Sequence, residues 1–547
     1  MSWMQRPVGS ANKVATVPAP VGGLNARDSL IAMPQEDAVT MNNWWPQPYG
    51  ISIRKGFREW TTGLPGTVDT IATLATELGN ELMFAWSGTA VYNVTVRGPA
   101  GAPLLSGLGG ANAARWQTLV VTNDAGSNML AVNGFDDAIV FGNNGSATRI
   151  AAGDGTGSTW AGLDPKLAIQ LTSHQGRVWA TQINSTKGWY LPVGALYGTM
   201  VSFDFGPQFK RGGYLAFLST WTIDDGNGAE DHLVAVSSMG EAVVYGGTDP
   251  ADDTAWTQVG VYFVGAPLPG RRSFAKVGAD LAILSQRGVI SMATLLASTK
   301  INESEAAIKT DQIQYLVSAV TTAYASKYGW QLAYYPGINM LLFNIPNNED
   351  KPNRQLVSNQ VSSIQPWSTF SGMDAVCWGQ FQMSPMFGSK DGRVLQAWTG
   401  YSDNVNLDDL GGTDITAVAQ QAYTSFGAPA VQKQIDMYRP NFIVSEPVAV
   451  STEIVYDFIR PESIIPNALR HISTNAITDG WNSGLWGVAI WGVGTVDPGT
   501  PPATSAQRVW IQGEGLGVSA SLKLTVQAAT EVLWVSTDYS YKVGSLL

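Results

Sequence analysis

A chain of 547 residues is longer than one ordinary core sustains, so two to four domains are expected unless a repeat builds one large one. Its net charge of −11 argues against a surface that binds nucleic acid by neutralising phosphates, and a single cysteine, Cys377, excludes an intramolecular disulfide framework. The N-terminal stretch lacks an apolar signal region and no run of about 18 apolar residues occurs, so a soluble chain made in a cytoplasm is expected.

Apolar residues, at 45%, can fill substantial cores, and 59 glycines imply many tight turns and short strands. Charged residues make up only 14%, while tryptophan is abundant at 20. Low charge with many aromatics points to a surface covered by other protein chains. The competing reading is a stable all-β protein whose surface is polar without charge.

Residues 1–64 read as an extended arm with a closing strand. Pro7, Pro18 and Pro20 disfavour helix, and Gly22-Gly23 turns the chain. Ile51-Ser52-Ile53-Arg54 alternates as a half-buried strand does, with Trp44, Trp45 and Trp60 as anchors.

From 65 to 403 a pattern repeats: a short apolar run, a polar turn that usually holds glycine, then a second apolar run. Candidate inner strands begin at Leu82, Leu130, Val178, Leu233, Leu281, Leu341 and Phe387, in steps of 48, 48, 55, 48, 60 and 46 residues. A period near ~50 suits a four-stranded propeller blade. About seven blades are expected, with six or eight also open. The cleanest unit is Met386–Trp398, where Asp391-Gly392 predicts a two-residue hairpin turn with positive φ at both positions.

The longest step holds a helical pattern near 303–325. Ile313, Leu316, Val317, Val320 and Tyr324 fall on one face, with Thr310 or Asp311 as candidate cap and Gly329 as stop. The helix is expected to face a neighbouring chain or to cover one end of the propeller. Residues 404–547 read as a β-sandwich-like domain, with long β-type runs and Trp481, Trp486 and Trp491 at five-residue spacing.

The run GGLN-x-RDSL-x-x-MP-x-x-DA-x-x-x-x-NWWP-x-x-x-G-x-x-x-R-x-G, Gly22 to Gly56, resembles the opening of tail hub or nozzle proteins of short-tailed bacteriophages. Shorter likenesses follow at Tyr328–Gln331, Trp367–Met373, Phe387–Thr399, Phe426–Pro429 and Val509–Leu547. The resemblance implies a β-propeller subunit of a six-fold ring beneath the portal and a head-to-tail adaptor ring. It further implies contact with tail fibre or tailspike proteins, placement in the virion tail, and phage DNA passing through the channel without sequence-specific binding. Six chains of −11 would carry about −66, and the loops at Asp224–Asp231 and Leu407–Asp409 are the candidates for lining that channel.

No catalytic, cofactor or metal set is nominated. His174, His232 and His471 stand far apart and outside any zinc motif. Gly153–Gly157 lacks the Lys-Ser/Thr of a phosphate loop, and Gly513–Gly517 lacks the helix that would follow one. The acidic run Asp224–Asp231 departs from calcium-loop spacing and reads as a solvated loop. Two alternatives to the tail reading stand. One is a propeller glycosidase, for which Ser389-Lys390-Asp391-Gly392 is a near-match to an Asp-box. The other is a glycan-binding adhesin using exposed tryptophan.

Overall fold

The computed structural model describes residues 12–77, 79–109, 114–124, 126–224, 229–252, 254–297, 308–347, 351–361, 365–446, 448–458, 470–471 and 505–546. The chain is mainly β, with few helices and a β-propeller arrangement of small antiparallel sheets. Their first strands are Val68–Ala75, Gln117–Asn123, Ala168–His174, Leu215–Asp224, Phe274–Val277, Gln331–Tyr335 and Ala375–Phe381. Each sheet touches the next in chain order, and Ala375–Phe381 returns to touch Val68–Ala75, which closes a ring.

The periodic segments prove to be second and third strands. Leu82 lies in Glu81–Ser87, Leu130 in Gly126–Val132 and Phe387 in Ser384–Ser389, each the second strand of its sheet. The inner position belongs instead to the strands that precede them. Second strands stand between apolar neighbours on both faces and so carry continuous apolar runs, which is why they dominate the sequence pattern. Apolar clusters fill the gaps between sheets, for example Phe84, Trp86, Trp116 and Phe141 between the first two.

Phe57–Thr62 supplies the outer strand of the last sheet, antiparallel to Val394–Ala397, so the ring is sealed by residues more than 300 positions away. The Met386–Trp398 hairpin differs from the turn expected for it. Of the Asp391-Gly392 pair only Gly392 has positive φ, at 78°, and the loop is Lys390–Gly392, closed by the Ser389 N–H donating to the Arg393 carbonyl at 3.0 Å. Asp391 keeps ordinary φ because its carboxylate accepts from Ser389 Oγ and from Arg393 Nε at 2.8 Å. This is a three-residue loop ending in a left-handed residue. A Cβ on Gly392 would stand 2.2 Å from the Leu64 carbonyl oxygen.

Residues 12–60, expected as an extended arm, are paired into sheets built from distant parts of the chain. Lys13–Pro18 pairs with Val532–Leu546, as does Gly50–Ile53 of the hairpin Trp44–Gln47/Gly50–Ile53. Asp37–Asn42 lies between Trp367–Phe370 and Thr413–Gln421, so a propeller sheet continues into Ala520–Ala528 and Ala449–Tyr456. This sheet and the one built on Val431–Val444 and Val532–Leu546 share one core, with Trp44 and Trp534 rings 6.1 Å apart. The same core takes in Leu284, Trp330 and Phe343 of the propeller. The glycines at 513, 515 and 517 serve packing: added Cβ atoms would meet Ile435 O at 2.4 Å and the Tyr456 ring at 2.4 and 2.7 Å.

The helix runs over Gln314–Tyr324 after a 3-10 turn at Asp311–Ile313. Ile313 and Val317 are buried in the shared core, with Leu316, Val320 and Tyr324 packed against it. The helix therefore has a place in the ring, filling the join between propeller and C-terminal sheets, while Tyr315 on its other side is exposed. Its capping differs from expectation. Thr310 makes no side-chain cap, Asp311 pairs with Arg27, and Trp330 Nε1 donates to the Tyr324 carbonyl at 3.1 Å, ahead of Gly329.

Tryptophan fills much of the interior: Trp44, Trp86, Trp116, Trp160, Trp179, Trp330, Trp367 and Trp534 are fully enclosed. Trp481, Trp486 and Trp491 lie outside the described residues. No helix among the described residues is long and apolar enough to cross a membrane.

Candidate functional site

A cavity of about 350 Å³ opens beside the starts of the first strands of the second to sixth sheets. Arg115 stands just before Gln117–Asn123, Arg271 and Arg272 just before Phe274–Val277, and Tyr328 just before Gln331–Tyr335. Asp69 lies in Val68–Ala75. Arg115, Arg271, Tyr328, Asn133, Asn184, Tyr214 and Ser238 supply much of the polar lining, to which Arg272 and Asp69 do not belong.

Each arginine is held differently. Arg272 ties sheets together: Nη1 donates to the Asp69 carbonyl at 3.2 Å, and Nη2 to Thr70 Oγ1 and the Trp116 carbonyl, both at 2.8 Å. Arg271 Nη1 donates to the Asn133 carbonyl at 2.8 Å. Its backbone is left-handed, with φ 60°, after Gly270 at 140°, where a Cβ would sit 2.4 Å from Trp330 O. Such a conformation is uncommon for a long side chain and collects at functional positions. The Arg115 guanidinium lies over the Tyr328 ring, 3.8 Å from its centroid. Its buried Nε has no hydrogen-bond partner, nor has Tyr328 Oη.

Burial dominates the electrostatics. It lowers the Arg271 pKa, and Arg115 and Arg272 push the same way. Burial raises Tyr328, against the pull of the three guanidiniums. Asp69 is raised by burial and partly restored by Arg115 and Arg272. Asp69 thus answers Arg115 and Arg272, while no carboxylate acts on Arg271, in a chain that is acidic overall.

None of these residues stands out in the sequence. The signal available is Arg271-Arg272 itself, an arginine doublet beside a glycine in a chain only 14% charged.

The residues weighed from sequence are dispersed. Among the described residues, no group of three or more His, Cys, Asp or Glu could hold a metal. Cys377 is buried, its thiol donates to the Val68 carbonyl at 3.2 Å, and burial pushes its pKa up to about 12. Asp391 closes its own hairpin. Residues 225–228 of the acidic run lie outside the described residues, and Asp231 accepts from Thr222 Oγ1 at 2.6 Å. Asp409 is neutralised within its own chain, 2.7 Å from Arg97 Nη2 and 3.4 Å from Arg58 Nη1, which weakens it as a channel-lining charge.

His174 is 2% exposed, stacked edge-on to Trp256 at 5.6 Å, with no hydrogen-bond partner at either ring nitrogen. Burial holds its pKa down at about 4 from an ordinary 6.5; Asp231 opposes the shift, while His232 and Lys276 reinforce it. The unfolded chain takes up this proton first, so stability is full above about pH 6.5 and falls as the pH drops toward 4. His174→Leu is expected to remove about 2 kcal/mol of the acid-induced loss at about pH 5. Urea melts of both proteins at about pH 7 and 5 check this, and parallel pH profiles would contradict it.

No family model and no curated protein matches the chain. Solved structures similar to it include YCF48 bound to D1 peptide, at 11% identity and TM-score 0.35, covering 67% of this chain and 99% of that one. Raptor from Chaetomium thermophilum is similar at 11% identity and TM-score 0.37, covering 66% of this chain and 30% of that one. The β-propeller domain of Cps50 (Swd1) from Myceliophteria thermophila matches at 11% and 0.35, covering 62% and 99%. At these scores the likenesses add nothing to the strand pairing, which itself carries the propeller arrangement.

Proposed function

We propose that the chain is a structural, non-catalytic subunit of a short phage tail: a hub or nozzle protein that forms a ring of six below the portal and adaptor. In this reading the propeller has seven blades and the C-terminal sheets form a β-sandwich-like platform. The ring meets the head-to-tail adaptor and tail fibre or tailspike proteins, resides in the virion, and passes DNA through its centre without reading it.

The observation that carries the reading is the Gly22–Gly56 resemblance. Its residues do structural duty here, which suits a scaffold. Asn25 Nδ2 donates to Asp37 at 2.7 Å, Trp44 and Trp45 are buried, and Arg54 binds Asp403 across 349 positions. Low charge supports wide protein contacts, and the exposed side of the helix, with Tyr315, is available to one. Mass measurement of the purified chain, alone and mixed with its adaptor ring, tests the proposal through its stoichiometry.

A further inference from the structure

We propose that the arginine-lined cavity is an anion site that takes a phosphate group, either as inorganic phosphate or as the phosphomonoester of a small molecule. The inference does not depend on the tail reading.

The first argument is charge balance. Arg115 and Arg271 line the cavity and no carboxylate is among its lining residues, while Arg272 and Asp69 lie outside the lining with opposite charges that act on each other. Guanidiniums stay protonated. An excess of two positive charges in a partly desolvated space is unfavourable on its own and is relieved by a dianion. A phosphomonoester is close to a dianion near neutral pH, and inorganic phosphate carries between one and two negative charges there.

The second argument is the supply of donors. Arg272 is occupied by Asp69, Thr70 and Trp116, so it supplies field rather than contact. Arg115 is held over Tyr328 by its face, and its Nε and the Tyr328 hydroxyl are buried with no partner. Both atoms are sealed from the open cavity, so the donors a ligand meets there come from Arg271, the rest of the Arg115 guanidinium, Asn184, Tyr214 and Ser238, and an oxyanion engages several at once.

The third argument is backbone geometry and size. Arg271 keeps a left-handed φ of 60° at the cavity wall, a conformation uncommon for a long side chain. About 350 Å³ admits a phosphate with a small organic body but no nucleic-acid duplex.

Titration calorimetry of the full chain with inorganic phosphate, against chloride at matched ionic strength, tests this. Saturable one-site binding is expected. Arg271→Gly removes the guanidinium while easing the left-handed backbone, so this variant folds and is expected to lose at least about tenfold in affinity. Arg115→Gln is expected to lose a similar factor. Ribose 5-phosphate separates the two sources: equal affinity assigns the site to phosphate alone, and tighter binding assigns the rest of the cavity to an organic body. Absence of saturable phosphate binding to the unaltered chain overturns the proposal. Unchanged affinity in Arg271→Gly overturns it too, as does a glutamate-rich peptide that binds where phosphate does not.

Discussion

Replacing Asp403 with alanine is expected to destabilise the protein by about 3–5 kcal/mol, because it strands a buried guanidinium. Arg54 is 1% exposed and gives two hydrogen bonds to the Asp403 carboxylate, at 2.7 and 2.5 Å. The remaining donors reach Asn43 Oδ1 at 2.9 Å and the Ser371 and Lys55 carbonyls at 2.8 and 3.0 Å. One side chain therefore joins the N-terminal segment, the loop after Trp367–Phe370 and the exit from the propeller. Removing the carboxylate leaves the charge in place with nothing to neutralise it. The double variant Arg54→Met/Asp403→Leu is expected to recover most of the loss, since a buried pair replaced by apolar groups is often neutral. Urea midpoints of the three proteins check this. A single variant within about 1 kcal/mol of the parent would show that the pair is solvated.

A chain lacking residues 1–62 is expected to lose cooperative unfolding altogether. The deletion takes Phe57–Thr62 from the last propeller sheet and leaves Val394–Ala397 as an open edge. It also takes Lys13–Pro18, Asp37–Asn42 and Gly50–Ile53 from two further sheets, together with Trp44 and Ile51 from their core. Each enclosed large side chain alone contributes about 3–5 kcal/mol, comparable to a large share of a protein's net stability. A separate peptide of residues 12–62 added during refolding is expected to restore the transition, because the lost contacts are pairings rather than chain connectivity. Calorimetry of the truncated chain with and without peptide gives the answer. A single sharp transition in the truncated chain by itself would contradict the pairing described above.

The propeller was legible because its second strands, such as Ser384–Ser389 and Met340–Ile345, are buried on both faces and read as apolar runs. The first strands were less visible. Gln117–Asn123 mixes buried and exposed positions where it faces the axis, and Phe274–Val277 has only four residues. The helix face was readable from spacing, but its surroundings were not, because Leu24, Leu284 and Trp330 come to it from three parts of the chain. The N-terminal segment could not be paired from sequence: Lys13 meets Tyr541, and nothing in a local window records that. The cavity was hidden for the same reason. Arg115, Arg271 and Tyr328 come together only in the fold, and even the Arg271-Arg272 doublet resembles surface charge until the sheets enclose it.

The central claim is that this chain builds a ring beneath an adaptor. Native mass measurement of the purified chain mixed with its adaptor ring tests it most directly. Six subunits of 58.3 kDa, about 350 kDa, added to the mass of the adaptor ring is the predicted result. A chain that remains at 58.3 kDa in that mixture would contradict it.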